Sequence, residues 1–365
     1  MIDLKMNLTV SVIVLLFTMS CSDDDVTDLF IEDQEMGMPF QELYDQGLDQ
    51  YLGTISPVAA EAVGGGVTEH IFSMDDGPVC FTGNQFSMFT RDGSNNNLLI
   101  FLQGGGFCSP FSCEAVEQGI PLIPFGILSP QDSQSPTFGY NLGYLPYCDG
   151  SLWMGDGTAD SDGDGVNDRF FRGLQNLSAS LDVVSKAYPA PDKIVIAGNS
   201  AGGTGVHAAL PLVRKLYPDV KIYAINDSGV GILSPGGFDM LSDYWNAEAF
   251  FPSSCSDCIG SDGNLTGYHQ YQLTEDENLV MAYISSKQDS VTSASLGGSV
   301  FEMELIEAAT ELNAAFPERF QSLIVNGDAH TFIIRTFDYQ VSDFTIKQWL
   351  SDMISDSGDW HAYTE

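Results

Sequence analysis

Basic residues are scarce in this chain: 13 Lys and Arg stand against 50 Asp and Glu, a formal net charge of −37. A surface that negative repels phosphate backbones and anionic lipid, which argues against nucleic-acid binding and against adsorption to acidic membranes. Polyanionic sugars are repelled too, unless a local basic patch or bridging cations intervene. Long apolar runs are also missing. The run Leu8 to Met19 is shorter than the ~20 residues a spanning helix needs. There is no internal repeat, and no second CxxC or CxxH accompanies Cys255 and Cys258, so a zinc reading of that pair lacks its other half. What remains is the composition of a folded chain. Of 365 residues 44% are hydrophobic and 11% aromatic, enough for a sizeable core.

The first residues read as a targeting segment. Lys5 precedes the apolar run, and Ser20-Cys21 follow it, as in a signal peptide over residues 1–21. Thr18-Met19-Ser20-Cys21 resembles a loosened bacterial lipobox, which makes Cys21 the lipidation candidate. The expected location is an exported outer-membrane or cell-surface lipoprotein, or a secreted protein, with membrane contact only through that anchor. Residues 22–40 are acidic and aperiodic, as in a tether. The other six cysteines, Cys80, Cys108, Cys113, Cys148, Cys255 and Cys258, are an even set in an exported chain and predict disulfides, with connectivity open.

From residue 41 to 365 the pattern predicts one α/β domain. Leu98 to Leu102 and Ile194 to Ala197 are continuous apolar runs that end at glycines, and Val220 to Ile225, Leu279 to Ile284 and Ser322 to Val325 are similar. Short runs apolar on both faces suit a mostly parallel sheet buried between helices. Between them Phe171, Leu174, Leu177, Leu181 and Val184 recur at helical spacing, as do Phe301 to Ala315 and Val341 to Ile354. Strands alternating with helices predict a doubly wound fold with helices on both faces.

The chemistry is carried by Gly198-Asn199-Ser200-Ala201-Gly202, a G-x-S-x-G sequence with an apolar strand before it and a helix-compatible stretch after it. That context is the nucleophile elbow of the α/β-hydrolase type, in which a tight strand-to-helix turn presents the serine. Gln103-Gly104-Gly105-Gly106-Phe107 closes an earlier strand and is placed to supply oxyanion N–H donors from Gly105 and Gly106, with the Ala201 N–H as partner. One such donor is worth ~3 kcal/mol of transition-state stabilisation. In this fold the order is serine, acid, histidine. His330, just after the run ending at Val325, is the base candidate, while His207, His269 and His361 are less well placed. Asp289, in the loop after Leu279 to Ile284, is the acid candidate. Asp227 is the alternative, and Asp328 reads as a turn residue.

Together these segments resemble the pectin acetylesterase and Notum family of carboxylesterases. The resemblance rests on Phe101 to Cys108, on Cys113, on Gly126-Ile127-Leu128-Ser129 and on Tyr147-Cys148-Asp149-Gly150-Ser151. Gly155-Asp156, Phe171-Arg172-Gly173 and Asn199 to Gly205 continue it, although Gln103 stands where the family usually has Glu. It implies a Ser200–Asp289–His330 triad, oxyanion donors at Gly105, Gly106 and Ala201, and Phe107 and Trp153 near the acyl pocket. It also implies removal of an acyl group, acetyl first, from a polysaccharide by a serine carboxylesterase that needs no catalytic cofactor. The alternatives are a hydrolase of small or lipid esters and an inactive surface glycan-binding lipoprotein.

One further motif stands apart. Asp160-Ser161-Asp162-Gly163-Asp164-Gly165-Val166-Asn167-Asp168 matches D-x-D-x-D-G-x-x-D, with carboxylates at alternate positions and a Val166 carbonyl in reach. It predicts a structural Ca²⁺ loop at 160–168, held by Asp160, Asp162, Asp164, Val166 and Asp168.

Overall fold

The computed structural model describes residues 37–365 except Asp76. The signal segment 1–21, Cys21 and most of the acidic stretch assigned to a tether lie outside the described residues. Phe40, at the end of that stretch, is fully buried and packs against Tyr271, so the folded unit begins before residue 41. Met38 to Glu365 form one compact unit.

In chain order the strands are β1 (Ala59–Gly64), β2 (Val67–Ile71), β3 (Ser87–Arg91), β4 (Leu98–Leu102), β5 (Asn141–Leu145), β6 (Gly157–Ala159) and β7 (Arg169–Phe171). They continue as β8 (Ile194–Asn199), β9 (Ile222–Asp227), β10 (Leu279–Ser286), β11 (Phe320–Val325), β12 (Gln340–Val341), β13 (Phe344–Thr345) and β14 (Tyr363–Thr364). The helices are α1 (Gln41–Asp45), α2 (Gly173–Ala187), α3 (Ala201–Leu216), α4 (Gly237–Trp245), α5 (Thr266–Glu275), α6 (Gly298–Ala315) and α7 (Ile346–Ile354). Ten strands make one sheet in the order β1-β2-β3-β5-β4-β8-β9-β10-β11-β14. From β5 to β14 neighbours are parallel, and β1, β2 and β3 join antiparallel at one edge. This is an α/β-hydrolase-like fold.

The apolar runs seen in the sequence are the central strands, and their alternation divides the core. Leu98, Ile100, Leu102, Ile194, Ile196 and Met281 face the layer formed with α2, α3, α5 and α6. Leu99, Phe101, Val195, Ala197, Ala282 and Ile284 face the other layer, which α7 and the segment around Phe332 and Phe337 cover. Burial on both faces is why these strands read as continuous hydrophobic runs. Helix α7 starts with a capping box, in which the Thr345 side chain accepts from the Gln348 N–H and Gln348 returns the bond. At the far end of α3 the buried Arg214 makes a forked pair with Asp276, at 2.8 and 3.0 Å, and donates to the Tyr217, Pro218 and Val220 carbonyls. This pins α3 to the turn entering β10. All six remaining cysteines are paired: Cys80–Cys148, Cys108–Cys113 and Cys255–Cys258. Among the described residues no helix is long and apolar enough to cross a membrane.

Candidate active site

Strand β8 ends at Asn199 and α3 begins at Ala201, so one residue, Ser200, carries the whole change of direction. Its backbone sits at φ 56°, ψ −126°, a conformation L side chains rarely adopt. The flanking glycines are a steric requirement. A Cβ on Gly202 would overlap the Leu102 carbonyl, and one on Gly198 would overlap Gly202 itself. The Ser200 N–H donates to the Asp227 carbonyl at 2.7 Å, which holds the elbow to the end of β9.

Asp289 follows β10 and is fully buried. Its Oδ1 accepts from the Val291 and Thr292 N–H groups, both at 3.0 Å, which fixes the carboxylate. His330 follows β11, with Nδ1 at 2.8 Å from Asp289 Oδ2 and 2.9 Å from Oδ1. A carboxylate only accepts, so Nδ1 carries the proton and Nε2 is left as the basic nitrogen. Asp227, the alternative acid, is committed elsewhere. Its Oδ2 accepts from the Phe332 and Ile333 N–H groups at 2.7 and 2.9 Å, and burial pushes its carboxyl up to about 6. Asp328 is exposed, and its carbonyl accepts from Ser290 N–H at 3.0 Å.

The glycine loop after β4 is held from several sides. The Gln103 side-chain oxygen accepts from the Ile120 and Tyr147 N–H groups at 3.1 and 3.2 Å. The Gly105 carbonyl accepts from Val116 at 2.9 Å, and Cys108 N–H donates to Gly150 at 2.8 Å. Among the described residues nothing accepts from the N–H groups of Gly105, Gly106 or Ala201, so these donors are free for a ligand oxygen. Phe107 is half-buried and meets the edge of Trp245. Trp153 departs from its expected place at the acyl pocket. It is fully buried and wedged against Gly205 of α3, and its Nε1 donates to the Gln103 carbonyl at 3.3 Å. Its neighbour Leu152 lines the cavity instead, and both residues take positive φ.

Two hollows flank the elbow. One, of about 700 Å³, is lined by Ser200, Ala201, Gly106 and Phe107 and walled by Leu152, Val230, Ile232, Leu233, Phe238 and Leu241. The other, of about 770 Å³, contains His330, Gly104 and Asn199, with Phe125, Asp132 and Arg335 along it. The walls Val230 to Leu241 were not singled out from sequence, since a mixed Gly-rich stretch carries no periodic signal.

Residues 67–236 match the family model of pectinacetylesterase. Over this segment the chain is similar to the pectinacetylesterase family. The palmitoleoyl-protein carboxylesterase notum1 of Xenopus laevis is 26% identical over 169 residues, 41% of this chain and 34% of that protein. The palmitoleoyl-protein carboxylesterase NOTUM of Homo sapiens is 23% identical over 196 residues, covering 48% and 38%. That of Drosophila melanogaster is 31% identical over 110 residues, covering 29% and 16%. The alignments with the first two span 34% and 38% of those relatives' length. The pectinacetylesterase segment holds the glycine loop and Ser200, whereas Asp289 and His330 lie beyond it.

The acidic loop lies between β6 and β7. Carboxylate oxygens of Asp160, Asp162 and Asp164 come within 4.8 Å of one another. Asp168 turns away and takes the Ser161 N–H and hydroxyl at 2.8 and 2.7 Å. Three hard oxygen donors in one turn fit a Ca²⁺ ion in chemistry, with Asp168 left out of the set as it stands.

Proposed function

We propose that the chain is a serine carboxylesterase acting through Ser200, His330 and Asp289. The observation that carries this reading is the Asp289–His330 pair at 2.8 Å, together with a strained serine that lines an apolar cavity. His330 Nε2 takes the Ser200 hydroxyl proton as Oγ attacks the ester carbonyl, and the carbonyl oxygen becomes an oxyanion. The free N–H groups of Gly105, Gly106 and Ala201 supply its donors, and the α3 N-terminus favours the same charge. His330 returns the proton to the departing alkoxide oxygen, and water then cleaves the acyl-serine by the reverse exchange. Asp289 orients the imidazole and stabilises its charged form.

The size and lining of the cavity bear on the acyl group. An acetyl group fills little of about 700 Å³, and the walls are aliphatic and aromatic. This supports a medium or long acyl chain ahead of acetyl. The groove on the His330 side would take the alcohol part, a sugar or another hydroxyl carrier. A catalytically silent glycan-binding role is less well supported, because a binding surface has no use for free N–H donors around a strained serine. Asp160, Asp162 and Asp164 would hold a structural Ca²⁺ remote from the chemistry. Export with a lipid on Cys21 remains our reading of the N-terminus.

The test is hydrolysis of p-nitrophenyl acetate, butyrate and palmitate by wild type and Ser200→Ala. The expected result is turnover that favours the longer chains and falls at least about 10³-fold in the variant. Equal activity of the two proteins, or no fluorophosphonate labelling of wild type, would sink the proposal.

A further inference from the structure

We infer that Asp227 is a positioning residue, and that the turn Asn226–Gly229 sets the spacing between Ser200 and His330. This rests on the esterase reading above and goes beyond it. The turn touches both halves of the machinery, Asp227 on both sides, Ser228 on the His330 side and Gly229 on the Ser200 side. The Asp227 carbonyl accepts from Ser200 N–H at 2.7 Å, while its carboxylate accepts from Phe332 and Ile333 N–H just after His330. The Ser228 hydroxyl accepts from Thr331 N–H at 3.1 Å. A Cβ on Gly229 would overlap the Ser200 carbonyl and crowd Thr204 N, so the turn lies flat on the first turn of α3. Thr204 Oγ1 clamps it there by donating to the Gly229 carbonyl at 3.0 Å.

The turn is braced from behind as well. Asn226 Oδ1 accepts from Gly229 N–H at 2.9 Å, and its Nδ2 donates to His207 Nε2 at 2.9 Å. His207 Nδ1 then donates to Gln272 Oε1 at 2.9 Å. Ser228 and Thr331 both hold positive φ, 61° and 68°, although neither is glycine. Such conformations persist only where the surroundings over-determine them. A fully buried carboxylate is costly to fold around. Here its Oδ2 ties the strained loop that carries His330 to a turn whose backbone carbonyl holds Ser200. A displacement of 1 Å between reacting groups costs about 10²-fold in rate, so the brace acts on catalysis through geometry.

The experiment compares wild type, Asp227→Asn and Ser228→Ala with p-nitrophenyl butyrate, and records the downfield His330 Nδ1–H proton by NMR. For Asp227→Asn we expect KM within about twofold, kcat lower by about tenfold or more, and the His330 proton shifted or broadened. Ser228→Ala, which removes one hydrogen bond, should lose about threefold to tenfold in kcat with KM held. If kcat and the His330 resonance both match wild type, the inference is overturned. If Asp227→Asn does not fold, an unchanged Ser228→Ala overturns it. A wild type that shows the resonance but neither labels nor turns over contradicts the esterase reading alone, and the NMR comparison still decides this one.

Discussion

At the scale of single residues, steric contact decides more than chemistry does. Ser200 and His330 are legible in the sequence because one lies in a five-residue motif and the other follows an apolar strand. Asp289 is ranked ahead of Asp227 there but not cleanly separated from it: each is an aspartate after a buried strand, and only the fold shows which carboxylate faces the imidazole and which faces backbone N–H groups. Trp153 shows the opposite failure, since the motif that suggests a pocket residue carries it into the core behind Gln103. The elbow makes a sharp prediction. Gly202→Ala puts a methyl group on the Leu102 carbonyl, so either the strand or α3 must move. We expect at least about a 10²-fold loss of esterase activity with a smaller change in melting temperature, measured side by side. A variant with near wild-type turnover would mean the elbow tolerates the shift.

At the scale of elements, what the sequence reveals depends on burial. Strands β4, β8, β9, β10 and β11 are readable because both faces are covered and the apolar run is unbroken. The β1–β2 hairpin is exposed along much of its length, and its small and charged residues give no alternation to read. Helix α5 is hidden for a related reason. Its His269 and Gln272 look like loop residues, yet both are buried, with His269 stacked at 3.7 Å on His207. The Cys108–Cys113 bridge follows directly on the glycine loop, and the segment up to Val116 packs back on Gly105. Replacing both cysteines by serine should lower kcat for short esters about threefold to thirtyfold while the chain stays folded, because a loosened donor loop weakens the oxyanion site. Unchanged kcat in the double variant would mean the hydrogen bonds alone hold the loop. For the acidic loop, calorimetry of chelator-treated protein should show Ca²⁺ binding that Asp162→Asn weakens, with esterase activity unmoved. No heat and no melting shift would remove the ion from the account.

For the whole molecule, charge and burial act on stability in one direction. Burial raises the carboxyls of Asp149 and Asp227 to about 6. An acid whose folded value lies above its unfolded value of about 4 keeps its proton in the folded state where the unfolded chain releases it. Stability from these groups is therefore present at low pH and lost as pH rises from about 4 through about 6. The net charge of −37 adds self-repulsion that also grows as carboxylates ionise. Thermal melts at low salt should give a higher melting temperature at pH 5 than at pH 7.5, and added salt at pH 7.5 should recover part of the difference. A melting temperature that falls on acidification would show that half-buried, favourably bonded carboxylates such as Glu42 and Asp132 dominate instead.

The two hollows beside the elbow share no lining residue. One is walled by segments after β9 and β10 and the other by the segment after β11, and the segment after β4 lines both. Changes after β9 or β10 alter one hollow and changes after β11 the other, so under the proposed esterase reading the two ends of an ester can be re-specified separately during divergence. That division gives an engineer two dials on one reaction centre, with the segment after β4 as the part they share.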